Sequence, residues 1–115
     1  MNTLKITQLT ADTFLGILPF EQKVKQTVML DLEFELDIDQ VVKTQTLEDT
    51  VDYSTVANAL TQFIESHRFN LIEVMAAQIS EFLKKEFKLK KFTLTIYKIG
   101  CLPNAKMVSM NLVFD

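Results

Sequence analysis

The stretch from Val28 to Asp37 alternates without a break, and this alternation constrains the fold more than any other feature of the chain. Val28, Leu30, Leu32, Phe34 and Leu36 fall on one face; Met29, Asp31, Glu33, Glu35 and Asp37 fall on the other. Successive side chains of a strand point to opposite sides, so one face here is apolar and the other carries four carboxylates. That pattern predicts a half-buried antiparallel strand. Running from about Val24 to Asp37, it would exceed the usual strand of roughly 5–6 residues. So long an edge must be paired or defended, and pairing with a second copy of the chain is one solution.

The other segments repeat the theme. Leu4 to Leu9 is predicted as a first strand, followed by a second stretch around Phe14 that leads into Gly16. Asp39 to Lys43 is predicted as a short helical turn. Ser54 to His67 carries Val56, Leu60, Phe63, Ile64 and His67 on one stripe, the spacing of an amphipathic helix. Asn70 is placed as the N-cap of a second helix running to about Phe87, with Leu71, Ile72, Met75, Ile79, Phe82 and Leu83 as its apolar face. Two alternating segments close the chain: Phe92, Leu94 and Ile96 in one, Val108, Met110, Leu112 and Phe114 in the other. Elements with one apolar face each predict a single two-layer α+β domain over residues 1–115, an antiparallel four-stranded sheet with two helices on one face.

Composition narrows the functions. With 48% hydrophobic and 23% charged residues, the chain packs a core rather than staying disordered. One domain of 115 residues keeps much surface for its volume, which self-association would relieve. A net charge of -3 gives no electrostatic reason to expect nucleic acid. The cluster of Lys84, Lys85, Lys88, Lys90 and Lys91 is read as a solvated helix end favoured by the dipole. Cys101 is the only cysteine and His67 the only histidine, so neither an intramolecular disulfide nor a four-ligand Cys/His zinc site can come from one chain. Met1 to Lys5 has no signal-peptide pattern and no apolar run reaches membrane-spanning length, so a cytoplasmic protein without membrane contact is expected.

Four ionisable side chains stand where a structural role explains them incompletely. Glu73, three residues after the proposed cap, fits a capping-box carboxylate favoured by the helix dipole, and it lies off the centre of the apolar face. Lys98 ends an alternating strand, where it is either solvated or, if desolvated, an acid/base group. Glu21 follows Pro19-Phe20 in a loop, ordinarily a surface position. Tyr53 precedes a helix, where its ring serves equally as a staple. His67 is read as packing on or capping the first helix, Cys101 as a small apolar residue, and the Asp31–Asp37 ladder as a solvated face.

Taken together, the four sit within motifs: Gly16-Ile17, Phe20-Glu21-Gln22, Thr50-Val51-Asp52-Tyr53, Arg68-Phe69-Asn70-Leu71-Ile72-Glu73 and Lys98-Ile99-Gly100. In these, and over nearly its whole length, the chain resembles the dihydroneopterin aldolase family. The resemblance implies the tunnelling fold, with sheets joined into a four-membered ring and two rings stacked as an octamer, and a site between neighbouring subunits. It implies a pterin substrate gripped by Glu73, with backbone groups at Ile72 and Val51 completing that edge. Tyr53 would cover the ring and reach the side-chain hydroxyls, Glu21 would order the diol or a water, and Lys98 would sit by the reacting end. No cofactor, metal or lysine Schiff base is implied, because the dihydropterin's own ring imine serves as electron sink. Ile99 stands where the family often has proline. A related epimerase acting on dihydroneopterin triphosphate shares the fold and much of the site, and a pterin- or purine-binding ring without turnover is the non-catalytic alternative.

Overall fold

The computed structural model describes residues 2–115. The elements run β1 (Asn2–Leu15), α1 (Pro19–Lys23), β2 (Gln26–Leu36), α2 (Asp39–Thr44), α3 (Tyr53–Glu65), β3 (Arg68–Phe69), α4 (Ile72–Phe87), β4 (Phe92–Leu102) and β5 (Ala105–Phe114). The sheet has five strands in the order β3-β1-β2-β4-β5, one more than the four predicted. The extra strand is β3, paired in parallel with the end of β1 through Phe14–Arg68 and Leu15–Phe69. Two residues cannot display a period of two, so no alternation marked it.

β1 unites what the alternation divides into two stretches. Ile6 lies opposite Leu32 and Leu9 opposite Leu30, so β1 carries one extra residue against β2. This is a β-bulge. Its effect is to change parity: Leu4 and Ile6 face the core before it, and Leu9, Ala11, Thr13 and Leu15 after it. Gln8 turns the corner with φ of 59°, and its N–H donates to Asp31 Oδ1 at 2.8 Å. Asp31 Oδ2 in turn accepts from the Tyr97 hydroxyl at 2.9 Å, tying β1, β2 and β4 together on the polar face.

On the opposite face, α3 and α4 cover the sheet as predicted. Val28, Leu30, Leu32 and Phe34 of β2 and Phe92, Leu94 and Ile96 of β4 meet Val56, Leu60 and Ile64 of α3 and Met75, Ile79 and Leu83 of α4, all buried. Fully burying such a side chain contributes roughly 1.5–3 kcal/mol before entropy is counted. Asp52 caps α3, accepting from the Ser54 N–H at 3.0 Å and the Thr55 hydroxyl at 2.9 Å. His67, just past the end of α3, both packs and caps: its ring stacks on Phe63 at 4.2 Å and Nδ1 lies 2.6 Å from the Phe63 carbonyl.

The start of α4 corrects the sequence reading. Its N-cap is Leu71, not Asn70, and Ile72 is the first helical residue. Phe69 is held in β3, its carbonyl accepts the Gly16 N–H at 3.0 Å, and after a bend at Asn70 the backbone of Leu71 is extended. Glu73 therefore occupies the second helical position, and no capping box forms. At this same end of the sheet, the β4–β5 hairpin leaves Ile99, Leu102 and Met107 exposed, with Cys101 exposed beside them rather than packed as a small apolar residue.

Candidate active site

Glu21 sits in a one-turn helix, not in a loop. Pro19 opens α1 with the φ a first helical residue needs, and Glu21 is third in the turn. Its carboxylate is folded inward: the residue is only 5% exposed. Oε1 accepts the Leu18 N–H at 3.2 Å, and Oε2 meets Lys98 Nζ at 2.5 Å. Lys98 comes from β4, where it pairs with Val28 of β2 and Val108 of β5, so a sheet interior strand holds the amine. The hydrogen bond from Lys98 keeps the Glu21 carboxyl below the ordinary glutamate value of 4.5; burial opposes this, while the Leu18 N–H and the ammonium charge add to it.

Gln26, which the sequence reading did not single out, and Arg68 hold α1 in place. Gln26 Oε1 accepts the Leu15 N–H at 2.9 Å, while Nε2 donates to the Val24 carbonyl at 2.8 Å and the Glu21 carbonyl at 3.4 Å. Arg68 Nη1 donates to the Gln22 carbonyl at 3.0 Å, and its guanidinium lies 3.9 Å above the Phe14 ring. Arg68 is thus engaged with α1 and β1. No signal in the sequence points to Gln26, because its three partners converge only when β1, α1 and β2 meet at one corner.

Glu73 and Ile72 lie at this same end of the sheet. The Gly16–Phe69 hydrogen bond joins the β1–α1 corner to the segment that opens α4 three residues later. Glu73 is exposed at the helix N-terminus, where the dipole favours a carboxylate, and Ile72 is half-buried.

Tyr53 and Val51 are elsewhere. Tyr53 is the first residue of α3 and 58% exposed, so it packs as no staple. Val51 lines a cleft of about 560 Å³ with Glu35, Leu36, Asp49, Phe87 and Leu89. Glu35 and Leu36 end β2, whereas Lys98 pairs with Val28 near its start. At about 3.3 Å per residue, the seven or eight steps between them separate the two places by about 25 Å. One chain therefore carries Glu21, Lys98, Glu73 and Ile72 at one end and Val51 and Tyr53 at the other.

Among the described residues, no group of three or more His, Cys, Asp or Glu is arranged to hold a metal ion, and no helix is long and apolar enough to cross a membrane.

The fold and the Glu21–Lys98 contact define a class: a small α+β protein with a shielded carboxylate–ammonium pair at one end of its sheet. A family model for FolB, dihydroneopterin aldolase, matches residues 4–113. The chain belongs to that family. It is 27% identical to the dihydroneopterin aldolase of Haemophilus influenzae over 113 residues, covering 98% of this chain and 96% of the other. It is 25% identical to the dihydroneopterin triphosphate 2'-epimerase of Escherichia coli over 109 residues, covering 95% and 91%. A solved FolB structure from Vibrio cholerae, assigned to dihydroneopterin aldolase, superposes with a TM-score of 0.94 at 32% identity, covering 98% and 96%. The Escherichia coli dihydroneopterin aldolase solved in complex with neopterin superposes with a TM-score of 0.94 at 25% identity, covering both chains fully.

Proposed function

We propose that this chain is a dihydroneopterin aldolase that cleaves 7,8-dihydroneopterin into 6-hydroxymethyl-7,8-dihydropterin and glycolaldehyde. The observation that carries the reading is the buried Glu21–Lys98 pair at the end of the sheet where Glu73 is exposed. Family membership and the neopterin complex of the Escherichia coli relative support a pterin as the ligand.

The chemistry asks for what these residues supply. Breaking the bond between the first two side-chain carbons needs a base for the second hydroxyl and an electron sink at the ring. The protonated ring imine of the substrate is the sink, so the reaction proceeds without metal or Schiff base. Glu73 accepts from the pterin amino group and the adjacent ring N–H, with backbone groups at Ile72 and Val51 beside it. Tyr53 covers the ring and takes part in proton transfer at the hydroxyl. Glu21 orders the diol or a bridging water, and Lys98 moves protons at the ring through water. General acid/base steps of this kind contribute about 10²–10⁴-fold each.

Because about 25 Å separates the two groups of residues within a chain, the site forms between copies, with Tyr53 and Val51 supplied by a neighbour. The free edge of β5 and the exposed Ile99, Leu102, Met107 and Val113 support association through the sheets, into a four-membered ring and a stacked octamer. The single exposed Cys101 suits a reducing cytoplasm.

The test is purified protein with 7,8-dihydroneopterin and excess chelator, with products separated by chromatography. Equal amounts of the two products are expected. Epimer formed from the triphosphate without cleavage would install the epimerase instead. Against the epimerase stands Arg68, whose guanidinium is engaged with Phe14 and Gln22 rather than free for a phosphate chain. No turnover of either would leave a binding module.

A further inference from the structure

Gly16 links β1 to α1 with φ of 135°, a conformation that side chains rarely adopt. Its backbone is only part of its role. A methyl group built on its α-carbon would overlap Oε1, Cδ and Oε2 of Glu21. The carboxylate that meets Lys98 therefore occupies the space a side chain at position 16 would need.

The rest of the corner cannot make that room by moving away. The carbonyls of Glu21, Gln22 and Val24 are held by Gln26 and Arg68, and the Gly16 N–H is held by Phe69. The Glu21 side chain, held at its tip by the Leu18 N–H and Lys98, is the part that can give way by rotating about its own bonds. We propose that Gly16 is a positioning residue, whose bare α-carbon seats the Glu21 carboxylate against Lys98. As a statement about catalysis this rests on the aldolase reading; as a statement about geometry it does not.

Gly100 provides the control. It too has a positive φ, 72°, but a methyl there would meet nothing within 4 Å. Substituting it strains the backbone without displacing a side chain.

The experiment follows the Glu21 carboxyl by carbon-13 NMR through an acid titration of the substrate-free protein. In Gly16→Ala the Glu21 midpoint should rise toward the ordinary glutamate value, and in Gly100→Ala it should stay at its original, depressed position. An unchanged midpoint in Gly16→Ala would overturn the proposal. Should Gly16→Ala alone not fold, thermal unfolding of Glu21→Ala with and without Gly16→Ala decides the matter. The double variant should fold and melt close to Glu21→Ala, because the carboxylate in the way is gone, and a double variant that also fails to fold would reduce Gly16 to a backbone role. With 7,8-dihydroneopterin, Gly16→Ala should lose roughly 10- to 100-fold in kcat with KM little changed, since Glu73 still grips the ring. Full kcat with a raised Glu21 midpoint would also contradict the positioning role. The titration uses no substrate, so an inactive parent protein would defeat the aldolase reading and leave the geometric claim to be judged by itself.

Discussion

Lys98 Nζ and Glu21 Oε2 lie 2.5 Å apart, joining a β4 residue to a one-turn helix 77 positions earlier in the chain. The pair sits out of bulk water, with side-chain exposures of 19% and 7%. The Lys98 hydrogen bond favours the charged carboxylate of Glu21 where burial would otherwise disfavour it. The same contact has consequences for stability, for catalysis and for assembly.

Stability should fall in acid through this contact. The folded Glu21 carboxyl titrates below its ordinary value of 4.5, chiefly because of the Lys98 hydrogen bond. A depressed carboxyl contributes stability that is full above the unfolded pKa and is lost as pH falls through the folded one. Glu21→Gln should be less stable than the parent at pH 7, and the difference should shrink below pH 4.5. Thermal melts across that range check it; a constant difference would mean that the pair does not stabilise the fold.

An alkaline counterpart involves Tyr97. Its hydroxyl donates to Asp31, and that bond, with burial and the Asp31 charge, raises its pKa above 10.0. A raised pKa gives stability that is full below the unfolded value and is lost as pH climbs through the folded one. Tyr97→Phe should be destabilised at neutral pH and converge on the parent above pH 10. Melting curves that stay parallel above pH 10 would contradict this.

Lys98→Ala should separate chemistry from binding. Turnover should drop by at least about 10²-fold, while calorimetry finds pterin affinity within a few-fold of the parent. Parent-like turnover in this variant would remove Lys98 from the mechanism.

Glu73→Gln should do the opposite. The exchange turns one acceptor for the ring's donors into a donor, and hydrogen bonds to a charged group are worth about 1.5–3 kcal/mol, so affinity should weaken by roughly 10- to 100-fold. Because no capping box forms at α4, the melting temperature should hardly change. Equal pterin affinity would leave Glu73 without a part in recognition.

Much of this fold is legible in the residue pattern, for reasons that also explain the misses. The period of two in β2, β4 and β5, and the stripes on α3 and α4, are consequences of one-sided burial, so they survive in the sequence. The bulge at Gln8 hides continuity because it changes the parity of β1 midway, making one strand read as two. β3 is too short to carry any period, and its pairing moved the start of α4 from the expected Asn70 cap to Leu71. Pro19 and Glu21, at the first and third positions of α1, were a usable helix signal. The burial of Glu21 had none, since it depends on Gly16 and on Lys98 far along the chain.

Assembly gives the most direct measurement. Lys98→Ala and Tyr53→Ala each remove one half of a site, and each alone should be inactive. If neighbouring copies share the site, rings formed by co-refolding equal amounts of the two variants contain intact sites, about a quarter of all sites for random mixing in a closed ring. Recovery of roughly that share of parental cleavage of 7,8-dihydroneopterin is the expected result. Mixed rings that stay as inactive as the separate variants would contradict a site shared between subunits.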